Sequence, residues 1–102
     1  MFIENAFWKE TASLNALAKE LHGSTQAADA FTFQSLKDHV EEIRGLLAQE
    51  DPHWKAETID LIIHGYLLLR RHGVAQGEIK EIMQKRLGRF REKITGALRE
   101  KG

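Results

Sequence analysis

The sequence predicts an all-α domain, a bundle of four to five helices completed by oligomerisation. Three observations carry this expectation. A single proline, Pro52, interrupts 102 residues. No apolar–polar alternation of the kind a half-buried strand needs lasts more than a few residues. Apolar side chains instead recur at three- and four-residue spacing through four long segments. A chain of 102 residues has room for one domain, 1–102. It buries roughly two-thirds of its unfolded surface, so its core is modest and a second copy would enlarge it.

The first helix is expected from about Glu4 to Leu21, with Phe7, Leu14, Leu17, Ala18 and Leu21 on one face and Gly23 as a left-handed stop. Gly23 to Ala30, small and polar, reads as a connector, long enough to hold a substrate-facing lid. The second helix is expected from Thr32 to Glu50, with Phe33, Leu36, Val40, Ile43 and Leu47 as its buried stripe. Gly45 inside it costs about 1 kcal/mol against alanine. It is either a point of close approach for a neighbour or ligand, or a tolerated surface defect.

The third helix is expected to start at or just after Pro52 and to end at His72-Gly73, and its stretch from Glu57 to Val74 contains the longest apolar run of the chain. Leu61-Ile62-Ile63 and Tyr66-Leu67-Leu68-Leu69 point in nearly every direction at 100° per residue, so it should be covered on most sides. Its length of about 25 Å and its charged ends exclude a bilayer span. The fourth helix is expected from Ala75 to Leu98, with Ile79, Ile82, Met83, Phe90, Ile94 and Leu98 on its apolar side.

A formal net charge of zero argues against a general nucleic-acid or membrane-surface binder. The absence of cysteine excludes disulfides and zinc–thiolate sites. The opening MFIENAFWKE has neither the basic start nor the apolar stretch of a signal peptide, which gives a cytoplasmic expectation.

Two groups of charges break these patterns. On the third helix, Glu57, Asp60 and His64 fall on one face at spacing i, i+3, i+7. Carboxylates on the best-buried helix are costly unless something positive lies between them. A short connection around Pro52 makes the second and third helices antiparallel neighbours, so Asp38, Glu41 and Glu42 can face Glu57 and Asp60. Such a set gathers hard oxygen donors suited to Mg²⁺ or Mn²⁺. The second group lies beyond Gln76, where eight Lys/Arg stand against four Glu. These are either a solvated helix face or, at Lys85, Arg86 and Arg89, a phosphate-attracting set.

The Glu57-Thr58-Ile59-Asp60 pair, the apolar helix running to His72-Gly73-Val74 and the basic segment Lys85-Arg86-Leu87-Gly88-Arg89-Phe90 together resemble a known family. This is the all-α nucleotide pyrophosphohydrolases, the MazG-like group that includes MazG and the phosphoribosyl-ATP pyrophosphohydrolases. The resemblance covers roughly Phe33 to Arg91. That family carries an EExxE motif on one helix and ExxD on the next. Here ExxD is Glu57 and Asp60, while Leu36 to Glu42 lies over the EExxE helix with Asp38 and His39 in place of the leading glutamates and Glu42 matching the last. Sliding the register puts Glu41 and Glu42 first and Gly45 at the final position; the first register is preferred because it keeps Val40 and Ile43 inside.

The resemblance implies metal-dependent hydrolysis of a nucleoside triphosphate, or a related nucleotide, to a monophosphate and pyrophosphate. It implies Glu42, Glu57 and Asp60 as catalytic metal ligands, Asp38 and His39 as further members, Lys85, Arg86 and Arg89 on the phosphate tail, and assembly as a homodimer or homotetramer. His39 as a ligand would favour Mn²⁺ or a later metal; its alternative is a margin position of a helix contact. His64 has three open roles: metal ligand, phosphate donor, or simple partner of Asp60. Two other classes compete: a non-catalytic relative with an eroded first motif, and a generic helical interaction domain.

Overall fold

The computed structural model describes residues 5–102. The expected helix start at Glu4 and the first residues of the leader argument lie outside them. The described residues form four helices and no strand: α1 (Asn5–His22), α2 (Thr25–Ala48), α3 (Trp54–Arg71) and α4 (Gln76–Lys101). None is long and apolar enough to cross a membrane.

Local chemistry sets each boundary. Gly23 at φ 88° ends α1, its N–H donating to the Lys19 carbonyl at 2.8 Å. Ser24 then caps α2, its hydroxyl accepting from the Ala27 N–H at 3.1 Å. The connector expected over Gly23 to Ala30 is therefore only two residues long. Its small residues are mainly alanine, a strong helix former, and Ser24 is the start signal.

At the other end of α2, Glu50 takes the left-handed conformation (φ 56°), with Asp51 N–H on the Leu46 carbonyl and Glu50 N–H on the Leu47 carbonyl. The same paired closure ends α3, where Gly73 (φ 79°) is the left-handed residue and Val74 N–H reaches the Leu69 carbonyl. α3 begins at Trp54, just after Pro52 as expected, and ends at Arg71, immediately before the expected stop at His72-Gly73.

α1, α2 and α3 pack on one another, α2 and α3 most extensively. The pairs Asp29–Arg71 and His39–Glu57 show that α2 and α3 run antiparallel. The contact at the start of α2 is an ionic knot: Arg71 donates to Asp29 at 2.7 Å and to Thr32 at 3.2 Å, while His72 meets the other Asp29 oxygen at 2.6 Å. The Arg71 guanidinium holds the Asp29 carboxyl below the usual range.

Of the stripe expected to be buried on α2, only Leu36 and Ile43 are half-buried. Phe33, Val40 and Leu47 are exposed, and the α3-facing side carries Ala28, Thr32 and His39 instead. Small residues let the two helices approach, and Thr32 satisfies its hydroxyl by donating to the Ala28 carbonyl at 3.0 Å. On α1, Thr11 is buried and Asn15 donates to the Leu67 carbonyl at 3.0 Å, while of the expected face Phe7 meets Tyr66 and Leu14, Leu17 and Leu21, though exposed, line a cavity with residues of α2 and α3. α3 is covered on much of its circumference, with Tyr66 at its centre, but Ile59, Ile62 and Leu69 face out. α4 touches the body near Ile79 and Met83, which line a groove with Ile62, Tyr66 and Leu69. Beyond Met83 its apolar side, Phe90, Ile94 and Leu98, is exposed.

Candidate functional site

The α2–α3 seam places one polar cluster at the end opposite the Asp29 knot. His39 on α2 and Glu57 on α3 meet with Nδ1 and Oε2 2.5 Å apart. Glu42, one turn beyond His39, brings its Oε2 to 3.7 Å from the same nitrogen. The three donor atoms lie within 4.8 Å of one another. The helical spacing of His39 and Glu42 puts them on one face, and the antiparallel crossing puts Glu57 opposite.

The cluster has an asymmetric protonation. Glu42 is raised above the ordinary 4.5, first by its hydrogen bond to Glu57 and then by repulsion from that carboxylate. Glu57 is lowered, first by the same hydrogen bond and then by His39. Of the two carboxyls, Glu42 therefore holds a proton more readily and Glu57 ionises first. An ionised Glu57 only accepts, and against it His39 presents Nδ1–H.

His53, at the entrance to α3, holds the second oxygen of Glu57, Nε2 to Oε1 3.2 Å. Its backbone N–H is fixed by Asp51 Oδ1 at 2.9 Å. Sequence reasoning missed His53; its i, i+4 relation to Glu57 just after Pro52 was the available signal. A solvent-open cleft of about 350 Å³, lined by Glu42, Gly45, Leu46, Gln49, His53 and Glu57, borders the cluster. At Gly45 an added Cβ would meet nothing within 4 Å, so no close approach requires the glycine there.

Of the expected ligands, His39, Glu42 and Glu57 converge. Asp38 points away, accepting from Gln34 at 2.9 Å in solvent. Asp60 is exposed and lies outside the cluster. His64 does not hydrogen-bond to Asp60; its ring lies beside His39 with centroids 5.3 Å apart, and burial holds it below the usual histidine range.

Phe31 continues this row of rings, 6.5 Å from His64 and 4.6 Å from His22. These rings wall an apolar cavity of about 260 Å³ on the far side of His64 from the cleft. Lys85 pairs with Glu81 at 3.3 Å on its own helix, and Arg86 stands 5.8 Å from the Phe90 ring. Among the described residues no ion pair joins Lys85, Arg86 or Arg89 to α2 or α3.

Compared with protein-family models, curated proteins and solved structures, the chain matches none of them.

Proposed function

We propose that this protein is a divalent-metal-dependent nucleotide pyrophosphohydrolase, cleaving a nucleoside triphosphate or a related nucleotide to the monophosphate and pyrophosphate. The observation that carries the proposal is the convergence of His39, Glu42 and Glu57 from two helices beside an open cleft. The resemblance of Glu57-Thr58-Ile59-Asp60 and its following helix to the MazG-like enzymes supplies the reaction class.

The donor set fits a cation. Donor atoms about 2.1 Å from an octahedral ion stand about 3 Å apart at neighbouring positions. The 3.7 Å between His39 and Glu42 is close to that, whereas at Glu57 an ion on His39 Nδ1 would replace the hydrogen bond between them, the ring then carrying its proton on Nε2. One imidazole nitrogen with two carboxylates favours Mn²⁺ over Mg²⁺. A bound ion supplies charge neutralisation for the phosphates and a more acidic water.

The chain's own residues do the rest. Glu57, with His39 on one oxygen and His53 on the other, is held in one orientation. With an ion held by the cluster, Glu42 would be ionised and would keep an oxygen to accept the proton of the attacking water. The water oxygen bonds to the α-phosphorus, the bond to the bridging oxygen breaks, and pyrophosphate leaves with the electron pair. Asp60, on the solvent side of the same helix, is an outer member of the set. Lys85, Arg86 and Arg89 remain the proposed phosphate cations, and a homodimer or homotetramer the proposed assembly.

Incubation with a panel of nucleoside triphosphates and Mn²⁺ or Mg²⁺ should yield equal amounts of monophosphate and pyrophosphate. Orthophosphate with a diphosphate product would reject attack at the α-phosphorus. The second reading is a non-catalytic relative that binds nucleotide; the exposed positions of Asp38 and Asp60 favour it. Binding of nucleotide with Mn²⁺ but no product over many hours would select it.

A further inference from the structure

We propose that the cavity between α1, α2 and α3 is a binding site for a planar, uncharged nitrogen heterocycle of two fused rings. The cavity holds about 260 Å³ and opens to solvent past Leu17 and Leu21, which are exposed. An apolar cavity of about 150 Å³ takes benzene, so this one has room for a second ring. Its walls are Leu14, Leu17 and Leu21 of α1, Phe31 of α2 and Leu67 of α3, an apolar lining of the kind small-molecule sites have.

The histidines select the ligand. Of the five in the chain, His39, His53 and His72 meet carboxylates. His22 and His64 pair with none and make no hydrogen bond among the described residues, and both line this cavity. Phe31 lies between them, 4.6 Å from the His22 ring at an interplanar angle of 30° and 6.5 Å from the His64 ring at 63°. A flat ring set against this wall gains face and edge contacts. An uncharged imidazole carries one N–H donor and one acceptor nitrogen, so the two rings offer both kinds of partner to the edge of a heterocycle.

The other polar groups of the wall select against a charged ligand. Arg71 is held by Asp29 at 2.7 Å and by Thr32 at 3.2 Å, and Thr32 donates to the Ala28 carbonyl at 3.0 Å. The Arg71 charge is thus balanced within the protein, and an ionic group among the leucines would lose its water without gaining a counter-charge. The heterocycle has two sources that share this chemistry, a free small molecule or the base of a nucleotide. Binding here needs neither metal nor turnover, so it stands apart from the catalytic proposal.

Titration of the protein with benzimidazole, followed by NMR, should show saturable binding with the largest shifts at His22, Phe31 and His64 and none at His53. Indene has the same shape and no nitrogen, and should bind about tenfold more weakly. His22→Phe and His64→Phe keep a ring in the wall, and each should reduce the preference for benzimidazole over indene. Ala18→Phe fills the cavity and should abolish binding of both with unchanged helicity; where it unfolds the chain, the two histidine variants carry the test. Competition by a nucleoside triphosphate without metal supports the site with a nucleotide base as its source of ligand. No competition, with benzimidazole still bound, supports it with a free heterocycle. Absence of saturable binding at millimolar benzimidazole overturns the site, and so does binding that a folded Ala18→Phe protein retains. Equal affinity for indene and benzimidazole, or a preference that both histidine variants keep, overturns the nitrogen heterocycle as the ligand.

Discussion

Glu57→Gln is expected to lower pyrophosphate release by more than about 100-fold while leaving the helical fold intact, because a neutral amide is a much poorer ligand for a hard cation. Glu57 is the hinge of the site, the one residue that meets His39, His53 and Glu42 together. The fold should survive because the amide oxygen still accepts from His39 and the repulsion with Glu42 disappears. With that repulsion gone, Glu42 should return toward its ordinary value. His39→Ala should follow closely. Asp38→Asn should be near neutral, since Asp38 is held in solvent by Gln34. Asp60→Asn is the discriminating neighbour: outside the cluster, it should cost no more than about tenfold. Paired steady-state assays and circular dichroism on the four variants check the order. A Glu57→Gln protein with wild-type turnover would remove the cluster from the chemistry.

Tyr66→Ala is the largest expected loss of stability, about 3–5 kcal/mol. Tyr66 is 5% exposed at the centre of α3, with Phe7 of α1 edge-on to it at 5.7 Å and an interplanar angle of 77°. Among the described residues fully buried apolar side chains are few: besides Tyr66 only Ala28 and Ile79. Removing the ring therefore leaves a cavity that α1 can fill only by moving toward α3. For a domain of this size each kcal/mol shifts Tm by about 4–8 °C, so a fall of on the order of 15 °C or more is expected in a thermal melt. Leu21→Ala, by contrast, should change Tm by no more than a few degrees in the single chain, since Leu21 is 79% exposed.

The helical class was legible because apolar spacing and a single proline leave little alternative. Which face of each helix packs inward was not. Hydrophobicity marks Phe33, Val40 and Leu47 on α2, yet that face is open, and the packed face is built from Ala28, Thr32 and His39. Small and polar residues permit close helix approach, and their hydroxyls satisfy themselves on the helix backbone, as Thr11 does on the Trp8 carbonyl at 2.7 Å. A hydrophobic stripe says that something covers it, without saying whether that is the same chain.

The same inversion explains the site. His39 and Glu57 were placed on adjacent helices by the short Pro52 connection, and i, i+3 spacing added Glu42. Asp60 shares a face with Glu57 by periodicity, yet it is exposed and outside the cluster, although α2 and α3 stay in contact beyond it through His64 beside His39 and Arg71 on Asp29. His53 was hidden because it precedes the apolar pattern from which α3 was recognised. The connector expected between Gly23 and Ala30 became mostly helix because composition alone does not separate alanine-rich helix starts from loops.

The most direct test is calorimetric titration of the protein with Mn²⁺ at a series of pH values. Glu42 is raised above its ordinary 4.5, so protons compete with the ion while Glu42 is protonated and cease to compete once it ionises. Affinity should therefore rise with pH over the interval in which Glu42 loses its proton and then level off. One ion site per chain, tightening over that interval and lost in both Glu57→Gln and His39→Ala, is the predicted result. No Mn²⁺ binding at neutral pH, or binding that both variants retain, would contradict the assignment of this cluster as a metal-dependent site.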